Sequence, residues 1–184
     1  MKWLCFSGFL LCLLLAFGAR CAWHDTPSEA ARFHAERSFT IRLDAPPAVV
    51  FPLFGPMAER EWSPHWSPRM LFPSDGSEPA RGAVFSISDE HGEQTWVLTA
   101  YDRQRGEIGY CIFVPGLVVS EIEIHLHQEG KAQTSAEVLY RHTALSAHAE
   151  LLVARLAEHH AAMGPHWERA INEALRKRTE NVGR

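Results

Sequence analysis

Between Gly82 and Thr143 the chain repeats one pattern five times: alternating apolar and polar residues, then a short turn. The clearest run is Val118–Gln128, where Val118, Ile122, Ile124 and Leu126 are interleaved with Glu121, Glu123, His125 and His127. A period of two belongs to a β-strand with one buried face. Gly82–Asp89 sets Ala83, Phe85 and Ile87 on one face, and Gln94–Tyr101 does the same with Trp96, Leu98 and Ala100. Glu107–Val114 aligns Ile108, Tyr110, Ile112 and Val114, and Thr134–Thr143 closes the series. Pro115-Gly116 and Glu129-Gly130 supply the turns. Consecutive strands joined this tightly form an antiparallel meander, whose apolar face must be covered by something else.

The cover is at the C-terminus. From about Ser146 onward, Leu152, Leu156, Met163, Trp167, Ile171 and Leu175 recur at helical spacing. Gly164-Pro165 interrupts them. A proline there removes a backbone donor and clashes one turn back, so the expectation is a kink or two abutting helices. Upstream of the meander, Ser38–Leu43 reads as a strand with Phe39, Ile41 and Leu43 on one side. A short helix follows, with Asp44 as a candidate cap, Pro46-Pro47 in its first turn and Val49, Val50, Leu53 and Phe54 as its apolar patch. Eight of the eleven prolines fall between Pro46 and Pro79. That density predicts a structured loop over 56–80 with one helical turn and a bend at Asp75-Gly76.

The first residues have a separate logic. Met1-Lys2, the apolar run Trp3–Phe17 and the small residues Ala16, Gly18 and Ala19 are the parts of a secretory signal peptide in order. The apolar stretch is shorter than the roughly twenty residues that span a bilayer. Cleavage after Gly18 and cleavage after Cys21 both satisfy the small-residue rule, and Arg20 before Cys21 argues against lipidation. The expected organisation is a signal over 1–21, a flexible lead over 22–37 and one domain over 38–180, exported to a periplasm or secreted, with no stable membrane insertion. Cys5 and Cys12 would leave with the signal, and so would Cys21 when the cut follows it. Cys111 then stands alone in an apolar strand as a buried, inert thiol, with no disulfide framework.

The formal charge is −4 for the chain and becomes −6 when Lys2 and Arg20 are removed. With no basic stripe, the chain is a poor match for nucleic acid or anionic membrane surfaces. His125-x-His127 shares a strand face with Glu121 and Glu123, but that face opposes the apolar one and offers no third ligand, so no metal and no cofactor are expected. His159-His160 and His166 flank the helix interruption, and helical geometry lets only one of the adjacent pair share a face with His166.

The phrases FTIRLDAPPAVVFPLF, EWSPHWSPRMLFPSDG, GAVFSI, TWVLTAYD and VLYRHTALS, in this order, resemble the START-like (SRPBCC) helix-grip superfamily. The loop phrase is similar to an uncharacterised bacterial subgroup, polyketide cyclase/dehydrase-like in type. The resemblance covers about Ser38 to Arg176. It implies an α+β fold, a curved antiparallel β-sheet wrapped around a long C-terminal helix, with a cavity between the two. Function is not implied, because binders and enzymes share such scaffolds.

Such a cavity would be walled by Phe85, Trp96, Tyr110, Ile112 and Tyr140 from the sheet, and by Met163 and Trp167 from the helix. Trp62 and Trp66, four residues apart beside His65, suit either a lid over the mouth or a clamp that pins the loop. Tyr140 and His142 share a strand face and, with His65, are the candidate acid–base groups. G-x-S-x-G, H-E-x-x-H and phosphate-cradling glycine loops are all missing from the sequence. Three functions remain open. The first is a carrier of an apolar or amphipathic small molecule. The second is a cyclase- or dehydratase-type enzyme using the same pocket, and the third an interaction module with a filled core.

Overall fold

A computed structural model describes residues 33–75, 77, 80–89 and 92–182. The signal over 1–21, the first part of the lead and Gly76 of the expected bend lie outside the described residues.

Seven antiparallel strands form one sheet in the order β1-β7-β6-β5-β4-β3-β2. They are β1 (His34–Leu43), β2 (Arg69–Phe72), β3 (Val84–Asp89), β4 (Gly92–Asp102), β5 (Glu107–Val114), β6 (Val118–Glu129) and β7 (Gln133–Ala144). The five meander strands stand where the alternation placed them, within about two residues at each end. Their apolar positions are the buried ones: Val118, Ser120, Ile122, Ile124 and Leu126 in β6 alternate with half-buried or exposed neighbours. Two strands differ from expectation. β1 begins at His34 rather than Ser38, because Ala144 N–H bonds Phe33 and the ladder to β7 already runs from His34 opposite Thr143. β2 is a short edge strand inside the proline-rich loop, and Pro68 and Pro73 bracket it where no ladder donor is needed.

The first helix, α1 (Pro47–Val50), runs into a 3-10 turn, Phe51–Phe54. Asp44 does not cap it. Its backbone N–H is taken by Asn172, and its carboxylate accepts from Gln133 at 3.3 Å instead. The proline-rich segment carries the one expected helical turn at Ala58–Glu61, also 3-10 in type. The C-terminal helix is two helices. α2 (Glu150–Ala161) stops at Ala162 and α3 (Gly164–Val182) starts at the glycine. Gly164 is buried, and a Cβ there would stand 3.2–3.3 Å from three atoms of the Phe39 ring and stem.

The two helices are held differently. From α3, Trp167, Ile171, Ala174 and Leu175 enter the main core with Leu43, Phe54, Leu98 and Val138. From α2, only Val153 and Ala157 are buried, in a smaller cluster with Ala35, Val114, Val118 and Ala144. Short side chains let α2 lie close on β1 and β7 there, while Leu152 and Leu156 stand off the rest of the sheet. The space left beside it becomes the site. Cys111 lies on the outward face of β5 and is half-buried, not buried as expected. Burial and the nearby Glu121 push its thiol pKa up, which keeps it protonated.

Candidate ligand cavity

Two adjoining cavities lie between the sheet and the C-terminal helices. The larger, about 1130 Å³, runs between α2 and the ends of β4–β7. Trp96, Ile112, Val118 and Tyr140 face Leu152 and Leu156 across it, with Ser120 among the sheet residues. His65, Arg155 and His159, all exposed, stand at its rim. The smaller, about 190 Å³, is an inner chamber bounded by Trp62, Trp66, Tyr110, Met163 and Trp167. Trp96, Tyr140 and His160 border both spaces and form the partition between them.

The aromatic walls brace one another. Trp66 meets Trp96 edge to face at 5.2 Å, and Trp62 meets Trp167 at 5.0 Å. Phe85 stacks behind Trp96 at 5.5 Å and borders neither of these two cavities, so it supports the wall from behind. The indole N–H of Trp62 donates to the Leu53 carbonyl at 2.7 Å, and that of Trp66 to the Pro56 carbonyl at 2.6 Å. Those bonds pin the loop, as a clamp would. The same rings also wall the chamber, so the clamp and lid readings describe two ends of one side chain. Tyr110 is fixed likewise, its hydroxyl donating to the Phe54 carbonyl at 2.6 Å.

A polar chain crosses the partition. Ser120 Oγ lies 2.7 Å from His142 Nδ1, and His142 Nε2 lies 2.9 Å from His160 Nδ1. His142 is fully buried behind His160 and borders neither cavity. The ring that reaches both spaces is His160, stacked on Tyr140 with centroids 4.0 Å apart. Burial is the main cause holding His142 down to about 4, with His34 adding to it. Burial likewise holds His160 down to about 3, with His142 and His159 contributing. Both are neutral at pH 7. The chain then has two proton arrangements: in one, His160 receives from His142 and keeps a proton on its other nitrogen. In the other, His160 donates to His142 and its second nitrogen is a free acceptor. That second nitrogen carries no hydrogen bond among the described residues.

One residue at the site had no sequence signal. Glu59, in the 3-10 turn, borders the inner chamber. It is accessible only in part, and its carboxyl makes no hydrogen bond or ion pair among the described residues. Burial pushes its pKa well above the usual carboxylate range. Its charge in turn raises Tyr110 and Tyr140, though burial is the larger cause in both. No group of three or more potential metal ligands occurs among the described residues. His125 and His127 lie on the outward face, the latter 4.0 Å from Glu137.

No family model matches the sequence, and no curated protein matches it. Solved structures do. Truncated norcoclaurine synthase from Thalictrum flavum superposes with a TM-score of 0.59 at 10% identity, over 79% of this chain and 95% of that one. Ara h 8.0201 gives 0.54 at 13%, over 78% and 99%. XoxI from Bacillus cereus gives 0.56 at 16%, over 76% and 94%. The chain has the START-like helix-grip fold. At these identities the likeness concerns the scaffold, and a helix-grip scaffold leaves the ligand to the side chains lining its cavity.

Proposed function

We propose that this helix-grip protein binds an amphipathic small molecule between its sheet and its C-terminal helices. The observation that carries the reading is the space of about 1130 Å³ beside α2, walled by Trp96, Ile112, Val118, Leu152 and Leu156 with a few polar groups, Ser120 and His160 among them. Its size and makeup are those of a small-molecule site. A filled core, as an interaction module would have, leaves no such volume. The reading includes export, on the strength of the apolar run after Met1-Lys2, so the ligand is sought among envelope or extracellular molecules.

Uptake of an uncharged apolar dye, followed by fluorescence, tests the reading. The wild-type protein is expected to bind the dye, and Leu152→Trp, which narrows the space, to bind it more weakly while its far-UV circular dichroism is unchanged. A wild-type protein that takes up no dye and carries no co-purifying ligand in native mass spectrometry overturns the reading.

One observation favours a second reading, acid–base chemistry of the cyclase or dehydratase type. The Ser120–His142–His160 chain ends at an imidazole that touches the ligand space and can present either a proton or a lone pair. Turnover that is lost in His160→Phe while dye binding persists separates catalysis from carriage.

A further inference from the structure

Aromatic rings make up much of the inner chamber's wall, with Ile122, Ile124 and Met163 between them. Among its lining residues are Trp62, Trp66, Trp167 and Tyr110, whose rings are set at steep angles to their neighbours and so wall the space from several directions. No Lys or Arg lines it. Arg60, beside Glu59 in sequence, is turned to the Pro68 carbonyl, and Arg178 is engaged by Glu61 through two contacts of 2.6 Å. Glu59 is therefore a carboxyl group without a counter-ion, facing aromatic rings. A carboxyl left this way costs free energy unless a ligand completes it. Aromatic rings repel an anion and attract a cation, most strongly where water is excluded.

We propose that the inner chamber is a subsite for an organic ammonium group, with the Glu59 carboxylate as counter-ion and the surrounding indoles as its cage. The inference rests on the reading that the larger cavity holds an amphiphile, and it specifies that molecule's buried end. The apolar body passes the Trp96–Tyr140–His160 partition into the larger space, while the head reaches Glu59. At about 190 Å³ the chamber accepts a compact head such as a trimethylammonium or a primary amine, not a bulky polar headgroup.

Charge balance gives the inference a signature. In the empty chamber burial holds Glu59 protonated well above the usual carboxylate range. The other titratable groups facing it do not replace a cation: Tyr110 and Tyr140 are raised by burial, and His160 is held neutral. Entry of an ammonium favours the carboxylate, so the Glu59 proton leaves to the buffer.

Calorimetric titration of the full-length protein with n-decyltrimethylammonium, n-decanol and n-decyl sulfate, in two buffers of different ionisation enthalpy, tests this. The ammonium is expected to bind about tenfold or more tighter than the alcohol, with proton release, and the sulfate weakest. Glu59→Gln is expected to remove the preference and the proton release while decanol affinity is kept. Glu59→Leu serves as the second variant and is expected to behave the same way. Equal affinity for ammonium and alcohol, or a preference that survives both variants, overturns the ammonium subsite and leaves the carrier reading standing. Binding of none of the three amphiphiles overturns both.

Discussion

His160 Nδ1 sits 2.9 Å from His142 Nε2, so two imidazoles of one protein share a hydrogen bond, and their burial keeps either from gaining a proton cheaply. Both pKa values lie below the ordinary histidine value, at about 4 for His142 and about 3 for His160. Well above pH 6.5 both rings are neutral in the folded and unfolded chain alike. As pH falls below 6.5 the unfolded chain takes up protons that the folded one refuses, so stability falls. Each ring is expected to cost on the order of 2–3 kcal/mol between pH 6.5 and 4. Urea midpoints across that range check it, and His160→Phe, which keeps a ring on Tyr140, should flatten the slope. An unchanged slope in the variant contradicts the assignment.

Ser120 holds the other end of that chain. Ser120→Ala leaves His142 Nδ1 without a partner where nothing else reaches, and a buried group so orphaned costs about 1–3 kcal/mol. The double variant Ser120→Ala/His142→Phe should recover much of the loss, read from the same denaturation midpoints.

Gly164 makes a test of shape alone. An added Cβ meets Phe39 at 3.2–3.3 Å, and Phe39 is pressed edge to face on Trp167 at 5.5 Å, so the ring has little room to yield. Gly164→Ala is expected to destabilise by about 1–2 kcal/mol despite the better helix propensity of alanine. Adding Phe39→Leu should offset that cost. A stabilised Gly164→Ala variant would show that Phe39 moves aside.

Glu59 predicts the reverse sign. Its carboxyl has no partner, so replacing it with leucine removes a desolvation cost and adds apolar contact with Trp62 and Trp167. Glu59→Leu is expected to raise stability by about 1 kcal/mol at neutral pH, seen as a higher melting temperature. A gain in stability from removing a buried carboxyl group is what a group kept for function rather than for folding would give.

These residues show what the sequence could carry. The meander was legible because alternation is a local signal, and Tyr140 with His142 followed from the same period. The broken helix was legible because Gly164-Pro165 announces itself. Glu59 was not, because an AERE tetrapeptide in a proline-rich stretch is indistinguishable from a solvated turn until Trp62 and Trp66 fold over it. His160 drew notice only as one of a pair. Its meeting with His142, eighteen positions away, depends on where α2 crosses β7. The cavity itself is a deficit of volume, and a deficit has no periodicity.

The sheet order has a consequence for assembly. β1 stands at one end of the sheet and pairs with β7 alone, His34 opposite Thr143. The hairpins from β3 to β7 close between near neighbours in the chain and can form early, whereas β1 must wait for the last strand to be made. Until then its bonding edge and the apolar row Phe39, Ile41 and Leu43 are unsheltered. The first strand of this sheet to leave the ribosome is thus the last to be buried, and it marks the interval in which an unfinished sheet is most open to a chaperone or to another chain.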